Sequence, residues 1–511
     1  MLVPSGHPPM DWQHGYHAES TYTCGFYREL APAWLDFAAL LKGQPSPRWT
    51  ASASFRYLEL GSGMGLSLCL LAAAHPEGEF TGVDFQPDHI LHSRRLSQAL
   101  QLTNIRFLEA DFLQLAAAPA ELEGSHHYVV AHGIATWIAT PIRKALLELA
   151  AIALRPGGLF YCSYNTLPGW LAAFPLQQLA WIESQRRSST PTGAAEAVRQ
   201  ASSTLQSLLG SPEHPSALAQ ALPGLRDRIS ALATMDTAYL VQEYINEGWQ
   251  PLAAHTFHSL VAGHKLRFMA SATLPDNFHP LLPDNIREAV INEPDSLIRE
   301  SLQDLAINQS FRRDIFCRGS YALSSTELAD HFNGLRFRLQ EAPDQETYVF
   351  SSNFGQITAS QELCAGIETS LAEGPLGFGE LLERHGLTLP RLAQLLSLLL
   401  HAGRVGLDRG QSQQAAIQSC DHAHTALGEL QLAGRPYGFR PVASLGSAVS
   451  FSLPEALLEQ AMRSNPGADP LPALTAGLIA LERNLVGDPA EALATYRRRR
   501  PALVTLGLLP G

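Results

Sequence analysis

Apolar and polar positions alternate along the N-terminal third in a repeating order of short and longer blocks. Residues 55–60 are a short, mostly apolar run bounded on its far side by glycine, the pattern of a buried parallel strand. Residues 66–74 are compact helix formers, and 79–83 make the next strand, closed by Asp84. Residues 87–100 read as a helix with proline in its first turn. Residues 105–112 are a third strand reaching Asp111 and Phe112, and 128–133 a fourth that exits at His132-Gly133. A helix over 141–154, the turn Leu154-Arg-Pro-Gly157-Gly158 and a fifth strand over 159–164 complete the series. Strands alternating with helices in this way predict a doubly wound sheet, whose ligands bind beyond the carboxyl ends of the strands.

The pattern then changes. Residues 174–271 become helical and rich in alanine and leucine, with breaks at 188–193 and 210–215, as an insertion or cap would be. Residues 265–271 and 312–319 return to strand character and are expected to be strands six and seven of the same sheet; the alternative is a separate domain. Beyond residue 326, short alternating segments precede two amphipathic helices over 378–389 and 390–402, then a short strand. Helix, turn, helix and strand resemble a winged-helix arrangement. Its second helix offers only Arg391 and His401 as basic groups, which favours a docking or structural module over DNA binding. The expected divisions are an N-terminal lid segment (1–50), a ligand-binding core (51–175), a helical regulatory or cap insertion (176–260), the remaining core strands (261–325) and a C-terminal α+β region (326–511).

Composition narrows the classes. A chain of 511 residues is too long for one core. With 46% hydrophobic and 16% charged residues it is globular, and a net charge of −12 argues against a nucleic-acid partner. The six cysteines are scattered without a Cys-x-x-Cys pair, which points to a reducing compartment and no zinc ribbon; no metal is expected. No signal peptide and no apolar run of about 20 residues is visible, so a cytoplasmic protein without membrane insertion is expected.

The candidate chemistry sits after the first strand. In Tyr57-Leu-Glu59-Leu-Gly61-Ser62-Gly63-Met-Gly65, the glycines let the backbone pass close beneath a ligand, and Asp84 can accept hydrogen bonds from ribose hydroxyls. The spacing departs from Gly-x-Gly-x-x-Gly. Glu-x-Gly-x-Gly-x-Gly resembles motif I of class I S-adenosylmethionine-dependent methyltransferases, and the Leu-Arg-Pro-Gly-Gly turn resembles a second signature of that class. A tight turn in another nucleotide-binding sheet is the competing reading of the motif alone.

Tyr164-Asn165-Thr-Leu-Pro168-Gly169-Trp170, with His132-Gly133 and Trp137 upstream, resembles bacterial methyltransferases that carry a methyltransferase regulatory domain. The best-understood of these are protein lysine methyltransferases of outer-membrane proteins. Tyr239-Leu-Val-Gln-Glu243-Tyr244-Ile-Asn246 resembles the His-Glu-Tyr-Leu-Asn element of that domain, with Gln242 in place of the usual histidine. The resemblance implies an α/β fold: a Rossmann-like seven-stranded class I core, its last strand antiparallel, with the helical insertion and the C-terminal α+β, winged-helix-like region.

The cofactor it implies is S-adenosyl-L-methionine. Gly61, Ser62, Gly63 and Gly65 would meet its amino acid part, Glu59 would fix that loop or the methionine amino group, Asp84 and Phe85 would meet the ribose end, and Asp111 and Phe112 the adenine. Tyr22 would either line a lid over the cofactor or pack the following helix onto the sheet, and packing is favoured for Tyr27. His132 would touch both cofactor and acceptor. Tyr164, Trp137 and Trp170 would form an aromatic, dehydrated channel that lowers a lysine pKa, and His132, Tyr22 or Glu243 would receive its proton or orient the amine. The implied partner is a protein lysine, with a small molecule as the alternative acceptor, a non-catalytic scaffold as the other reading, and a homodimer through the insertion as a further implication. An open groove would favour a polypeptide acceptor and a sealed pocket a small one.

Overall fold

Strand β1 (Phe55–Leu60) exposes only Arg56, as expected of a strand covered on both faces. The computed structural model describes residues 16, 24–48, 54–119, 122–187, 191–232, 235, 237–341, 347–410, 414–481 and 488–509; Tyr22 lies outside them. A helix, α1 (Pro32–Leu41), precedes β1. Then follow α2 (Leu66–Ala74), β2 (Gly78–Asp84), α3 (Pro87–Ala99), β3 (Ile105–Glu109), α4 (Phe112–Ala117), β4 (His126–Ala131), α5 (Thr140–Ala153) and β5 (Leu154–Asn165). The short α4 was not anticipated: Asp111 ends the strand run by capping this helix. The Arg-Pro-Gly-Gly segment, expected as a turn, is included in β5, whose register against β4 shifts between His126 and Tyr128.

Among the described residues, five helices form a cap after β5: α6 (Phe174–Ser184), α7 (Pro191–Leu208), α8 (Ala217–Ala221), α9 (Gly224–Leu232) and α10 (Thr237–Tyr244). They surround their own core, which includes Trp170, Tyr244 and Trp249. The chain returns to the sheet through α11 (Ala254–Ala262), β6 (Arg267–Ser271), α12 (Asp284–Ile291), α13 (Ser296–Ile307) and β7 (Phe311–Cys317). The strand order is β3-β2-β1-β4-β5-β7-β6, with β7 antiparallel to both neighbours. Strands six and seven thus belong to the one sheet.

Side-chain alternation divides the sheet into two buried faces. Tyr57, Tyr128, Tyr161 and Ile315 point to one, which α1 and α2 cover. Leu58, Val129, Phe160 and Phe316 point to the other, under α5 and α11. Behind that second face a charged network is buried: Arg312 binds Asp314, Asp304 and Glu300, while Asp314 also accepts from Tyr164 Oη at 2.6 Å and pairs with His258 Nε2 at 2.8 Å. Each charge there has a hydrogen-bonded partner, the condition for tolerating charge in a core.

The C-terminal region begins with α14 (Ser325–Asn333), β8 (Arg336–Leu339), the hairpin of β9 (Val349–Ser352) and β10 (Gly355–Thr358), and α15 (Gln361–Ala372). It continues with β11 (Leu376–Gly377), α16 (Phe378–His385), α17 (Leu389–His401) and β12 (Val405–Asp408). From α15 onward this is the helix, strand, helix, helix, strand order of a winged helix, but the central strand of its sheet, order β11-β8-β12, comes from upstream. All residues from 392 to 400 of α17 are buried, so the helix that would read DNA is committed to packing.

Last come α18 (Gln414–Leu432), the hairpin of β13 (Phe439–Val442) and β14 (Ser447–Ser450), α19 (Leu453–Ser464), α20 (Leu471–Ala480) and α21 (Pro489–Thr505). Together with α18, the β13–β14 hairpin packs on α2, every residue of which is buried. Polar contacts fix both ends of α2: His92 joins Met64 O to the Tyr437 hydroxyl, and Arg409 binds Ala74 O and Glu77. Among the described residues, no helix is long and apolar enough to cross a membrane, and no group of three or more His, Cys, Asp or Glu side chains is placed to hold a metal ion.

Candidate active site

The turn after β1 is built from left-handed glycines, with φ of +78° at Gly61, +52° at Gly63 and +72° at Gly65. A Cβ on Gly61 would lie 2.8 Å from Ile134 Cδ1, and one on Gly65 2.4 Å from Ser93 Oγ, so neither position has room for one. Gly63 has nothing within 4 Å: its surface faces open space. The turn is tied down by the Gly63 amide donating to Asp84 Oδ2 at 2.8 Å, and by the amides of Gly61 and Ser62 donating to Val83 O. Asp84 Oδ1 accepts from the Gln86 amide and lies 3.2 Å from His89 Nδ1.

A cleft with two lobes opens around this turn, and Tyr16, Gly61, Asp84, His89 and Ile134 belong to both lobes. One lobe is apolar, walled by Phe85, Phe112, Ile138 and Ile142, with Asp111 at its edge. Tyr16 meets Phe85 edge-on, with ring centroids 5.7 Å apart. The Asp111 carboxylate accepts from the Leu113 amide at 2.6 Å, the N-cap of α4.

The other lobe is polar and holds Glu59, Ser62, Gly63, Gly65, His132 and Trp137. Burial, reinforced by the charge of Asp84, pushes the Glu59 carboxyl up to about 8. Buried Ser62 Oγ has no hydrogen-bond partner among the described residues. An elongated ligand with an adenine-like end and an ammonium-bearing end matches these two lobes. The apolar walls suit the ring, the bare Gly63 surface and the Ser62 hydroxyl suit a polar group, and buried Glu59, which has no cation beside it among the described residues, suits the ammonium.

His132 stands at the carboxyl end of β4. Its Nδ1 lies 3.0 Å from Tyr161 Oη and 3.1 Å from Ser163 Oγ, which itself accepts from the Gly133 amide. Tyr27 lies over the imidazole, with centroids 3.8 Å apart, and also walls the polar lobe. Burial, with the Arg313 charge, drives His132 down to about 3, so the ring is neutral at ordinary pH. Glu243 lies outside the lobes. Its carboxylate accepts from Asn165 Nδ2 at 3.2 Å, and burial raises it to about 7 against the opposing pull of Asn165, Arg228, Tyr239 and Trp137.

Two of the expected channel residues are elsewhere. Tyr164 is fully buried on the opposite sheet face, bonded to Asp314 and packed on Phe257 at 4.2 Å. The cause is strand alternation: Tyr161 and Ser163 reach His132, so Tyr164 points the other way. Trp170 lies in the cap core against Tyr244 and Trp249, with the Arg228 guanidinium 3.8 Å from its ring. Conversely, Tyr27 reaches the site where packing was expected, and Tyr16, His89, Tyr161 and Ser163 were not anticipated. The alternation of β5 carried the signal for the last two; the others are set by long-range packing.

Comparison with known proteins agrees with this architecture. Residues 58–158 match the family model described as Methyltransferase domain, and residues 236–318 the one described as Predicted methyltransferase regulatory domain. The second match runs from the last cap helix through β6 and β7, so much of it completes the catalytic sheet. Uncharacterized protein sll1526 of Synechocystis is 32% identical over 398 residues, 77% of this chain and 76% of that one. Uncharacterized protein RP789 of Rickettsia prowazekii is 24% identical over 61% of this chain and 54% of its own. Among solved structures, PKMT2 from Rickettsia typhi superposes with a TM-score of 0.66 at 15% identity, covering 96% of this chain and 99% of that one. The same protein in complex with AdoHcy gives 0.63 at 17%, covering 95% and 98%. The glycine turn anchored on Asp84, the seven-stranded order and these matches place the chain in the class I S-adenosylmethionine-dependent methyltransferases that carry a methyltransferase regulatory domain.

Proposed function

We propose that the chain methylates a lysine amine of a protein substrate. The observation that carries this reading is an open cleft of about 430 Å³ lined by Tyr27, the residue that also lines the polar lobe. An acceptor too large for a sealed pocket would sit in this cleft against Tyr27, the residue that covers His132. The full-length likeness to PKMT2 supports a polypeptide acceptor, as that protein's name suggests.

Bound S-adenosylmethionine supplies a methyl group on a positively charged sulfur. Glu59 pairs with its ammonium, Ser62 and the glycine turn with its carboxylate, Asp84 with the ribose, and Phe85, Asp111 and Phe112 with the adenine. Aligning acceptor and methyl group for in-line displacement supplies roughly 7–11 kcal/mol of barrier reduction. Tyr27, His132 and Trp137 exclude water around the amine, which favours its neutral, nucleophilic form over the ammonium. Neutral His132, anchored through Nδ1, orients the amine by a hydrogen bond, and the Trp137 ring holds the alkylated cation. Glu243 is a positioning residue that holds Asn165 in place.

The test is methyl transfer from radiolabelled cofactor into a bacterial lysate, with an Asp84→Ala variant as control. Asp84-dependent label in discrete protein bands, released as methyl-lysine on hydrolysis, is the expected result. Label confined to the small-molecule fraction would replace this reading with a small-molecule N- or O-methyltransferase.

A further inference from the structure

The cleft beside Tyr27 is bordered by two sheet edges. Among the described residues, β12 on one side pairs with β8 alone, and β14 on the other with β13 alone. The phase of each ladder follows from its flanking bonds. Gln340 N donates to Arg404 O beside the β8–β12 pair, so Gly406 and Asp408 face β8 while Val405 and Leu407 turn their backbone groups outward. Phe451 N donates to Gly438 O beside the hairpin, so Ser447 and Val449 face β13 while Ala448 and Ser450 turn outward. Pro441, which has no N–H to give, sits opposite Ala448 in the outward phase.

The two edges meet at one point, where Arg409 N, in the outward phase of β12, donates to Ser444 O just ahead of β14. From there they part around the cleft, which Val405, Leu407, Ala448 and Ser450 all line. The Ser450 carbonyl is taken by the Arg499 guanidinium at 2.6 Å. The outward backbone groups of Val405, Leu407 and Ala448 have no partner beyond their own sheets among the described residues. An unpaired strand edge inside a cleft is what an extended polypeptide complements, because its own N–H and C=O groups complete the ladder.

We propose that the acceptor protein enters this cleft as an extended segment, adding a strand along the Ala448 edge of β14 and facing β12, and delivers its methylated side chain past Tyr27 into the polar lobe. The proposal rests on the reading of a polypeptide acceptor. Recognition is then mainly through the main chain, with charges of both signs (Arg28, Arg313, Glu29 and Glu341) in the lining, so substrates are chosen by extended conformation more than by one side-chain motif.

The test uses the full chain saturated with AdoHcy and a fluorescein-labelled peptide rich in threonine and valine with one central lysine. Anisotropy should show saturable binding that Ala448→Pro weakens about tenfold, the loss of one main-chain hydrogen bond and its close approach, while Ala448→Ser binds as wild type. Affinity for AdoHcy should not change. Hydrogen exchange on the unmutated protein should show residues 405–408 and 447–450 protected by the peptide, which tests the site even if the proline variant folds poorly. No saturable binding, equal binding by Ala448→Pro, or protection elsewhere would overturn the proposal. Binding with protection but without methyl transfer to the peptide would count against the lysine reading and leave the cleft assignment standing.

Discussion

The amide of Gly63 donates to Asp84 Oδ2 at 2.8 Å, joining the turn after β1 to the end of β2. Asp84 therefore does more than meet a ribose: it shapes the glycine turn on which the methionine end of the cofactor rests. Removing it leaves the Gly63 and Gln86 amides without their acceptor. Asp84→Ala should weaken AdoHcy binding about thirtyfold, from the loss of about 2 kcal/mol in charge-assisted hydrogen bonds, as read by titration calorimetry. Asp84→Asn, which keeps one acceptor oxygen, should lose less.

The glycines of the turn should separate by substitution. At Gly65 an added Cβ meets Ser93 Oγ at 2.4 Å in a left-handed backbone, so Gly65→Ala should unfold at a clearly lower temperature, by more than about 2 kcal/mol. At Gly63 the added methyl meets no protein atom. Gly63→Ala should cost only about 1–2 kcal/mol of stability, from its positive φ, yet reduce cofactor affinity because the methyl occupies ligand space.

The buried Glu59 carboxyl predicts a pH dependence. Its native pKa is raised to about 8, so between about 4.5 and 8 the empty native state holds a proton that the unfolded chain has released. Stability of the empty protein from this group falls as pH rises through that window, while cofactor binding, which favours the carboxylate, tightens. Near pH 7 binding should release close to one proton, measurable by calorimetry in buffers of different ionisation enthalpy. Glu59→Gln should abolish the release, bind more weakly and be the more stable apoprotein at pH 8.

Tyr164 should behave as a structural residue. Its hydroxyl donates to Asp314, which is already tied to Arg312 and His258. Tyr164→Phe should cost about 1–2 kcal/mol of folding stability and leave cofactor affinity and turnover near normal. A loss of turnover with unchanged stability would return Tyr164 to the site.

These residues show what could be read from the chain. The β/α alternation, the glycine turn and Asp84 are local signals, and each occupies its expected place in the sheet. Tyr164, expected in an aromatic channel from the resemblance, lies on the opposite sheet face, because strand alternation gives Tyr161 and Ser163 the face toward His132. Tyr16 and Tyr27 reach the cleft from positions far from the glycine turn in sequence, one edge-on to Phe85 and the other over His132, and no local pattern encodes such a pairing. The pairing of β8 is equally hidden: its alternation marks a short strand, but it joins β11 and β12 across long sequence separations, so the winged-helix order is visible and its sheet is not.

Glu243 gives the sharpest test of how the site is held. It stands outside both lobes yet bonds Asn165 at the end of β5, and its carboxyl is raised to about 7 by burial against Asn165, Arg228, Tyr239 and Trp137, which favour the charged form. Ionised Glu243 accepts from Asn165 Nδ2; protonated Glu243 must itself donate, and the bond that holds Asn165 weakens. Turnover should therefore fall as pH drops below about 7 while AdoHcy affinity follows only the Glu59 titration. Glu243→Gln imitates the protonated acid, so it should show a lower kcat, unchanged KM for cofactor at pH 8 and no further fall attributable to this group below pH 7. Glu243→Ala, which removes the acceptor altogether, should be slower still, by about tenfold or more relative to wild type. A Glu243→Gln enzyme that keeps the wild-type rate and the wild-type acid limb would show that the carboxylate holds nothing the reaction needs.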